Sequence, residues 1–143
     1  MKILVLNGPN MNMLGIRQPE IYGHATYQDL VSMVQAEAQK LSVDVDFFQS
    51  NHEGDLISAM QQAYLDDVDG IIINPAAYTH TSIALLDAVK AVGIPTVEVH
   101  VSDPDAREEF RHVSYIRAAC VATIRGRGLP GYLEALHLLV DQK

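Results

Sequence analysis

Ile94-Pro95-Thr96-Val97-Glu98-Val99-His100-Val101-Ser102 is the stretch on which the fold turns. β-Branched residues dominate it, and Gly93 with Pro95 marks its start, so it reads as a buried strand. Successive side chains of a strand point to opposite faces. Val97, Val99 and Val101 therefore share one face, and Thr96, Glu98 and His100 share the other. A strand in the middle of a parallel sheet is expected to be apolar on both faces. This one sets a carboxylate and an imidazole side by side at its C-terminal end. A buried charge needs a partner, so the pair either satisfies itself as a structural ion pair or serves a bound molecule. In the second case Glu98 holds the ring by one nitrogen and aims the other at a ligand, the arrangement of an acid–base site.

Outward from this strand, the chain alternates strands and helices. Residues 2–6 read as a first strand, ended by the turn Asn7-Gly8-Pro9-Asn10. Residues 11–24 show no period and carry Gly15, Arg17, Pro19, Tyr22 and Gly23. A loop of that length in a compact domain is usually functional or disordered. Thr26-Tyr27-Gln28-Asp29 forms a capping-box variant. It opens a helix to about residue 41, with Tyr27, Leu30, Val31, Val34, Ala38 and Leu41 on one face. Residues 43–49 alternate apolar with Asp44 and Asp46, as a half-exposed edge strand does. A helix follows with Leu56, Ile57, Met60 and Tyr64 expected inward. Residues 70–74 are an apolar, central strand, and the polar loop 74–82 ends by capping a helix that carries Ile83, Leu86, Val89 and Val92. After the opening stretch, residues 102–107 lead into a short charged helix with Arg107, Glu108, Glu109 and Arg111. A fifth strand is expected at about 118–124 and a last helix at about 129–140.

This order predicts an α/β fold in one domain, 1–143: a three-layer, flavodoxin-like sandwich with a five-stranded parallel sheet in the order 2-1-3-4-5. In such sheets ligands sit beyond the C-terminal strand ends, at the switch point between the first and third strands. The clusters 7–10, 74–82 and 98–102 all converge there.

Composition limits the partners. The net charge of −8 argues against nucleic acid and anionic membrane surfaces, but local arginines still permit a small anionic ligand. The N-terminal apolar run is too short for a signal segment or a membrane span. A single cysteine, Cys120, allows no intrachain disulfide and no CxxC motif; its apolar surroundings predict a buried thiol and a cytoplasmic protein.

Arg17 and Tyr22 share one loop. Tyrosine is a poor base at its usual pKa of about 10, but a nearby guanidinium lowers that value. The pair is a candidate general base on a lid, the alternative being a surface tyrosine. Asn10, Asn74, His80, His100 and Ser102 offer donors and acceptors to a hydroxylated ligand, and Arg107 and Arg111 can pair with a carboxylate. Together these fit proton abstraction beside a carbonyl with loss of water. No serine elbow or phosphate-binding lysine motif appears. Gly126-Arg127-Gly128-Leu129-Pro130-Gly131 fits a dinucleotide fingerprint, but it follows the last strand, so a tight turn explains it better. A flavin-binding module of the same fold is disfavoured by the lack of tryptophan and of a Ser/Thr-rich phosphate loop. His80, His100 and His112 match no common metal-ligand spacing, so no metal is expected.

Leu6-Asn7-Gly8-Pro9-Asn10, Leu14-Gly15 with Arg17, Pro19 and Tyr22-Gly23, and Asn74-Pro75 through Tyr78-Thr79-His80-Thr81-Ser82 resemble the type II 3-dehydroquinate dehydratases. So do Glu98-Val99-His100-Val101-Ser102 and Arg107-Glu108-Glu109-Phe110-Arg111-His112 with Ser114-Tyr115. The resemblance implies cofactor-free dehydration of 3-dehydroquinate to 3-dehydroshikimate, by anti elimination through an enolate. Tyr22 would accept the proton, with Arg17 activating it. His100 would protonate the departing hydroxyl, with Glu98 orienting it, and Asn10 would hold a water against the enolate. Asn74, His80, the amides of Val101 and Ser102, and Arg111 would bind the anionic substrate. Arg107 would belong to the lid, and Asp87 would reach a neighbouring subunit's site in a dodecamer, a tetramer of trimers. Two departures stand out. Asp103 replaces the family's usual asparagine and would oppose an anionic ligand if it lay near it. Ala76 replaces a more usual glycine and would be strained if that position needs an unusual backbone angle. A non-catalytic relative, kept for assembly or binding, is the reading these departures leave open.

Overall fold

The computed structural model describes residues 1–16 and 18–142, with the side chains of Ile21 and Tyr22 outside that description. Five strands, β1 (Lys2–Asn7), β2 (Asp44–Gln49), β3 (Gly70–Asn74), β4 (Thr96–His100) and β5 (Ala122–Arg125), form one sheet in the order β2-β1-β3-β4-β5. Every neighbouring pair is parallel. The helices are α1 (Pro19–Tyr22), α2 (Tyr27–Lys40), α3 (Glu53–Leu65), α4 (Ile83–Val92) and α5 (Pro130–Asp141). None is long and apolar enough to cross a membrane among the described residues.

Strand alternation sorts the core into two layers. Ile3, Val5, Ile72, Val97 and Val99 pack against Leu30 and Val34 of α2 and Leu136 and Leu139 of α5. On the other face, Leu6, Ile71 and Ile73 pack against Leu56 and Met60 of α3 and Leu85 and Val89 of α4. β3 is buried along its whole length, as a central parallel strand must be. β2 alternates exposed and half-buried positions at the sheet edge, as its aspartates predict. The capping box of α2 is present in full: Thr26 Oγ1 accepts from Asp29 N at 3.1 Å and Asp29 Oδ2 accepts from Thr26 N at 2.9 Å.

Several local expectations fail for identifiable reasons. Tyr64 is 60% exposed, and Ala63 takes the inward place. Eight residues along a helix rotate a side chain about 80° past its starting face, whereas seven return it to within about 20°. Ile83 is likewise exposed, because Leu85, two residues on, faces the core. The loop 11–24 contains a short 3₁₀ turn, Met11–Met13, as well as α1. The charged stretch after β4 forms two separate 3₁₀ turns, Pro104–Ala106 and Glu109–Arg111, instead of one helix. β5 begins four residues later than expected, because Ile116–Ala119 is a 3₁₀ turn that seats Ile116 in the core. Cys120 is half-buried, and burial first, then the Glu98 charge, push its thiol up to about 12, so it stays protonated.

Candidate active site

β1 and β3 end in register, with Asn7 opposite Asn74, at the reversal point of the strand order. Both asparagines are buried and lie on the parity of Val5 and Ile72, so they face the α2/α5 layer. Tyr132 of α5 meets them there: its hydroxyl donates to Asn7 Oδ1 at 2.5 Å and accepts from Asn74 Nδ2 at 3.1 Å. Burial drives the Tyr132 phenol far above its ordinary range, so it works as a neutral bridge. Two turns leave this pair of strand ends in close contact. Gly8 N donates to Asn74 O at 2.8 Å, and a Cβ on Gly8 would lie 2.5 Å from Pro75 O. Only glycine allows the first loop to nest on the third.

Beyond Gly8, Asn10 adopts a left-handed backbone (φ 70°), which asparagine tolerates better than most residues. Its N–H donates to Asn51 Oδ1 at 3.0 Å. Ala76 also has positive φ, 54°, and it lacks asparagine's local compensation. The strain expected there is therefore present. Asn74 Oδ1 accepts from Ala76 N at 3.1 Å and holds the turn in that conformation.

On the opposite face of the sheet, Glu98 is 0% and His100 6% exposed. His100 Nε2 is hydrogen-bonded to Glu98 Oε2, which also accepts from Ser114 Oγ at 2.9 Å. Glu98 Oε1 accepts from Thr123 Oγ1 at 3.2 Å and lies 3.6 Å from Arg117 Nε. Burial by itself would raise the Glu98 carboxyl. The hydrogen bond and charge of His100, the Ser114 hydroxyl and the Arg117 charge together outweigh it, leaving Glu98 below its usual range. The carboxylate thus fixes the imidazole by Nε2 and leaves Nδ1 for a ligand.

The two faces meet in a pocket of about 230 Å³ at the C-terminal end of the sheet. Asn10, Asn74, His80, His100, Val101, Ser102, Arg107 and Arg111 all line it. His80 Nδ1 donates to Val113 O at 2.7 Å, and burial lowers its proton affinity, so the neutral ring keeps Nε2 as an acceptor. Arg111 Nε lies 3.1 Å from Glu108 Oε2, and its guanidinium stacks over Phe110. The turn between β5 and α5 braces the wall: Gly126 N donates to Ser102 O at 3.1 Å and Gly128 N to Val101 O at 3.0 Å. Both glycines have positive φ. The fingerprint-like Gly126-Arg127-Gly128 therefore reads as a structural turn that supports the pocket.

Asp103 does not line the pocket. Its Oδ1 accepts from Asp105 N at 3.0 Å and sits 4.0 Å from Arg125 Nε, whose Nη1 is 2.5 Å from Asp105 Oδ2. The Asp103 carboxylate thus caps a turn and faces a cation, between the pocket-lining Ser102 and Pro104 but outside the lining itself. Asp87 is exposed on α4 and does not line the pocket. Arg17 and the Tyr22 side chain lie outside the described residues.

The class II dehydroquinase profile matches residues 1–140. The chain belongs to this family. It is 54% identical over 140 residues to a 3-dehydroquinate dehydratase of Caldicellulosiruptor bescii, covering 98% of this chain and 97% of that one. A 3-dehydroquinate dehydratase of Corynebacterium glutamicum is 56% identical over 142 residues, covering 99% and 97%. The crystal structure of a type II dehydroquinase from Butyrivibrio crossotus superposes with a TM-score of 0.96 at 48% identity, over 97% of each chain.

For this dehydroquinase-family chain, residue-level reading anticipated the Glu98–His100 pair and the residues around the pocket. It assigned no role to Thr123, Arg117 and Tyr132, and named Ser114 only within a motif. Tyr132 carried a legible signal, since a tyrosine on the inward face of the last helix needs a polar partner. Arg117 and Thr123 carried none, because nothing local marks which position will face a glutamate 19 or 25 residues earlier in the chain.

Proposed function

We propose that this chain dehydrates 3-dehydroquinate to 3-dehydroshikimate without a cofactor, by anti elimination through an enolate. The observation that carries the reading is a buried imidazole, fixed by a buried carboxylate, lining a pocket shared with Asn10, Asn74, His80, Arg107 and Arg111. In this reading Tyr22, activated by Arg17, takes a proton from the carbon beside the ketone. Asn10 holds a water against the enolate oxygen. The enolate then collapses to the conjugated enone as His100 delivers a proton to the departing hydroxyl, which leaves as water. The proton on Tyr22 returns to solvent or His100, and the cycle closes. Asn74, His80 and the amides of Val101 and Ser102 take the substrate's hydroxyls and carboxylate, with Arg111 paired to the latter and Arg107 closing over it. Asp87, exposed on α4, is available to a neighbouring subunit of a dodecamer built as a tetramer of trimers. The setting is cytoplasmic, in the shikimate pathway or in quinate breakdown.

The test is turnover of 3-dehydroquinate by the purified protein, followed by the ultraviolet absorbance of the conjugated product, beside Tyr22→Phe. Turnover that collapses in the variant supports both reaction and base. Turnover that survives moves the base elsewhere, and none by the native protein promotes a non-catalytic role.

A further inference from the structure

We propose that Arg117 is a positioning residue that sets how tightly Glu98 holds the proton it shares with His100. The inference deepens the proposed function, because it takes His100 as the acid of that reaction. Glu98 is closed off from water, and its two oxygens have separate partners. His100 and Ser114 occupy Oε2; Thr123 and Arg117 occupy Oε1. A buried carboxylate needs a compensating positive charge. Two groups can supply it here, from opposite sides: His100 when protonated, and Arg117 at every accessible pH.

Arg117 stands where the fold puts it. It follows Ile116, fully buried in the core, on the 3₁₀ turn Ile116–Ala119, and Val121 N then ties the segment to β4 through Thr96 O at 2.8 Å. Its buried Nε has no hydrogen-bond partner among the described residues, and at 3.6 Å it meets Glu98 as a charge. That placement is costly unless the ion pair offsets it. Arg117 does not line the pocket, so it acts through Glu98 and touches no substrate.

The other ionisable groups around the pair come from each neighbouring element: His80 from the turn after β3, Arg107 and Arg111 from the segment after β4, Cys120 beside Arg117, and Arg125 of β5, which stands opposite His100 in the sheet and is paired with Asp103 and Asp105. His80 and Cys120 are held neutral, and the two pocket arginines are unchanged when Arg117 is replaced. A change in the pair's titration on replacing Arg117 therefore reports Arg117 itself.

Removing that positive charge leaves Glu98 to His100 alone, so the pair keeps its proton to higher pH. In Arg117→Gln, the shared titration of the Glu98–His100 pair, read by NMR, is expected to move up by about half a pH unit or more. The limb of the kcat profile that follows it moves equally, with KM for 3-dehydroquinate unchanged. Arg117→Lys restores most of the native position, and Thr123→Val, which removes a hydroxyl but no charge, moves it less. A ring titration and kcat profile identical to native in Arg117→Gln would overturn the proposal while turnover continues. If Arg117→Gln does not fold, Arg117→Met, which keeps the apolar stem and loses the charge, decides: an upward move supports the proposal, and no move overturns it. A titration that moves in a protein that never turns over 3-dehydroquinate would sink the functional reading and leave the electrostatic one standing.

Discussion

The two ends of the sheet treat polar side chains in opposite ways. At the N-terminal end, Lys2, Asp44, Asp46 and Asp66 line an open groove of about 820 Å³, and all four are exposed. Lys2 N donates to Asp69 Oδ2 at 2.8 Å and Lys2 Nζ to Asp66 O at 3.3 Å, both at the surface. At the C-terminal end the hollow is only about 230 Å³, yet Asn7, Asn74, Glu98 and His100 are buried there and bonded to one another or to side chains from distant elements. Hydrated charges cost the fold little and gain little. Buried ones persist only where hydrogen bonds or an opposite charge offset the lost hydration. Volume would rank the wrong end first; the polar groups kept out of water mark the site.

The contrast predicts large effects for substitutions at the C-terminal end and almost none for those at the other. Glu98→Gln keeps the shape and removes the charge, leaving His100 and Arg117 without their anion. Breaking a buried pair of this kind is expected to cost about 3–5 kcal/mol in denaturant unfolding. With the imidazole no longer fixed by a carboxylate, turnover should fall by roughly 10²–10⁴. The pH dependence has a definite sign. Glu98 is held below its ordinary 4.5, so its stabilising contribution is present at neutral pH and is lost as pH falls through the depressed value. Glu98→Gln should lose that part of the acid sensitivity. Tyr132→Phe comes next: Asn7 Oδ1 and Asn74 Nδ2 lose a shared hydroxyl, at a cost of about 1–3 kcal/mol. Because Asn74 lines the pocket, KM should rise more than kcat falls.

Ala76→Gly sharpens the comparison from the other side, by relieving strain inside the site. A left-handed alanine costs about 1–2 kcal/mol, and glycine gives back about 0.5–1 through the flexibility of the unfolded chain. Thermal or denaturant unfolding should show a gain of about 0.5–1 kcal/mol. The smallest effect belongs to the open groove, where Asp44→Asn should leave stability within about 0.5 kcal/mol of native and turnover unchanged. A loss there comparable to that of Tyr132→Phe would erase the distinction between the ends.

The same contrast explains how much of the molecule was legible in its sequence. The opening stretch gave β4 and its two faces because strand alternation is local, and the α2 capping box needs only four residues to be seen. The helix faces were read less well where apolar residues spaced by four were followed for two steps, which carried Tyr64 out of the core. The Glu98–His100 pair was visible because both residues lie on one strand. Their supports were not: Thr123 and Arg117 reach Glu98 from β5 and from a 3₁₀ turn whose last two residues, Ala118 and Ala119, were read as the start of that strand. Ala76 was read as a departure from a family pattern, and its positive φ turned that departure into a physical cost.

The bond from Tyr132 to Asn7 joins residues 125 positions apart. At ordinary synthesis rates α5 follows β1 out of the ribosome by roughly ten seconds. Through that interval the strand that opens the site has no partner for its buried amide from the helix that completes it. The pocket is therefore among the last parts of the molecule to take its final form, and a nascent chain cut short of α5 would carry the site's residues without the floor that arranges them.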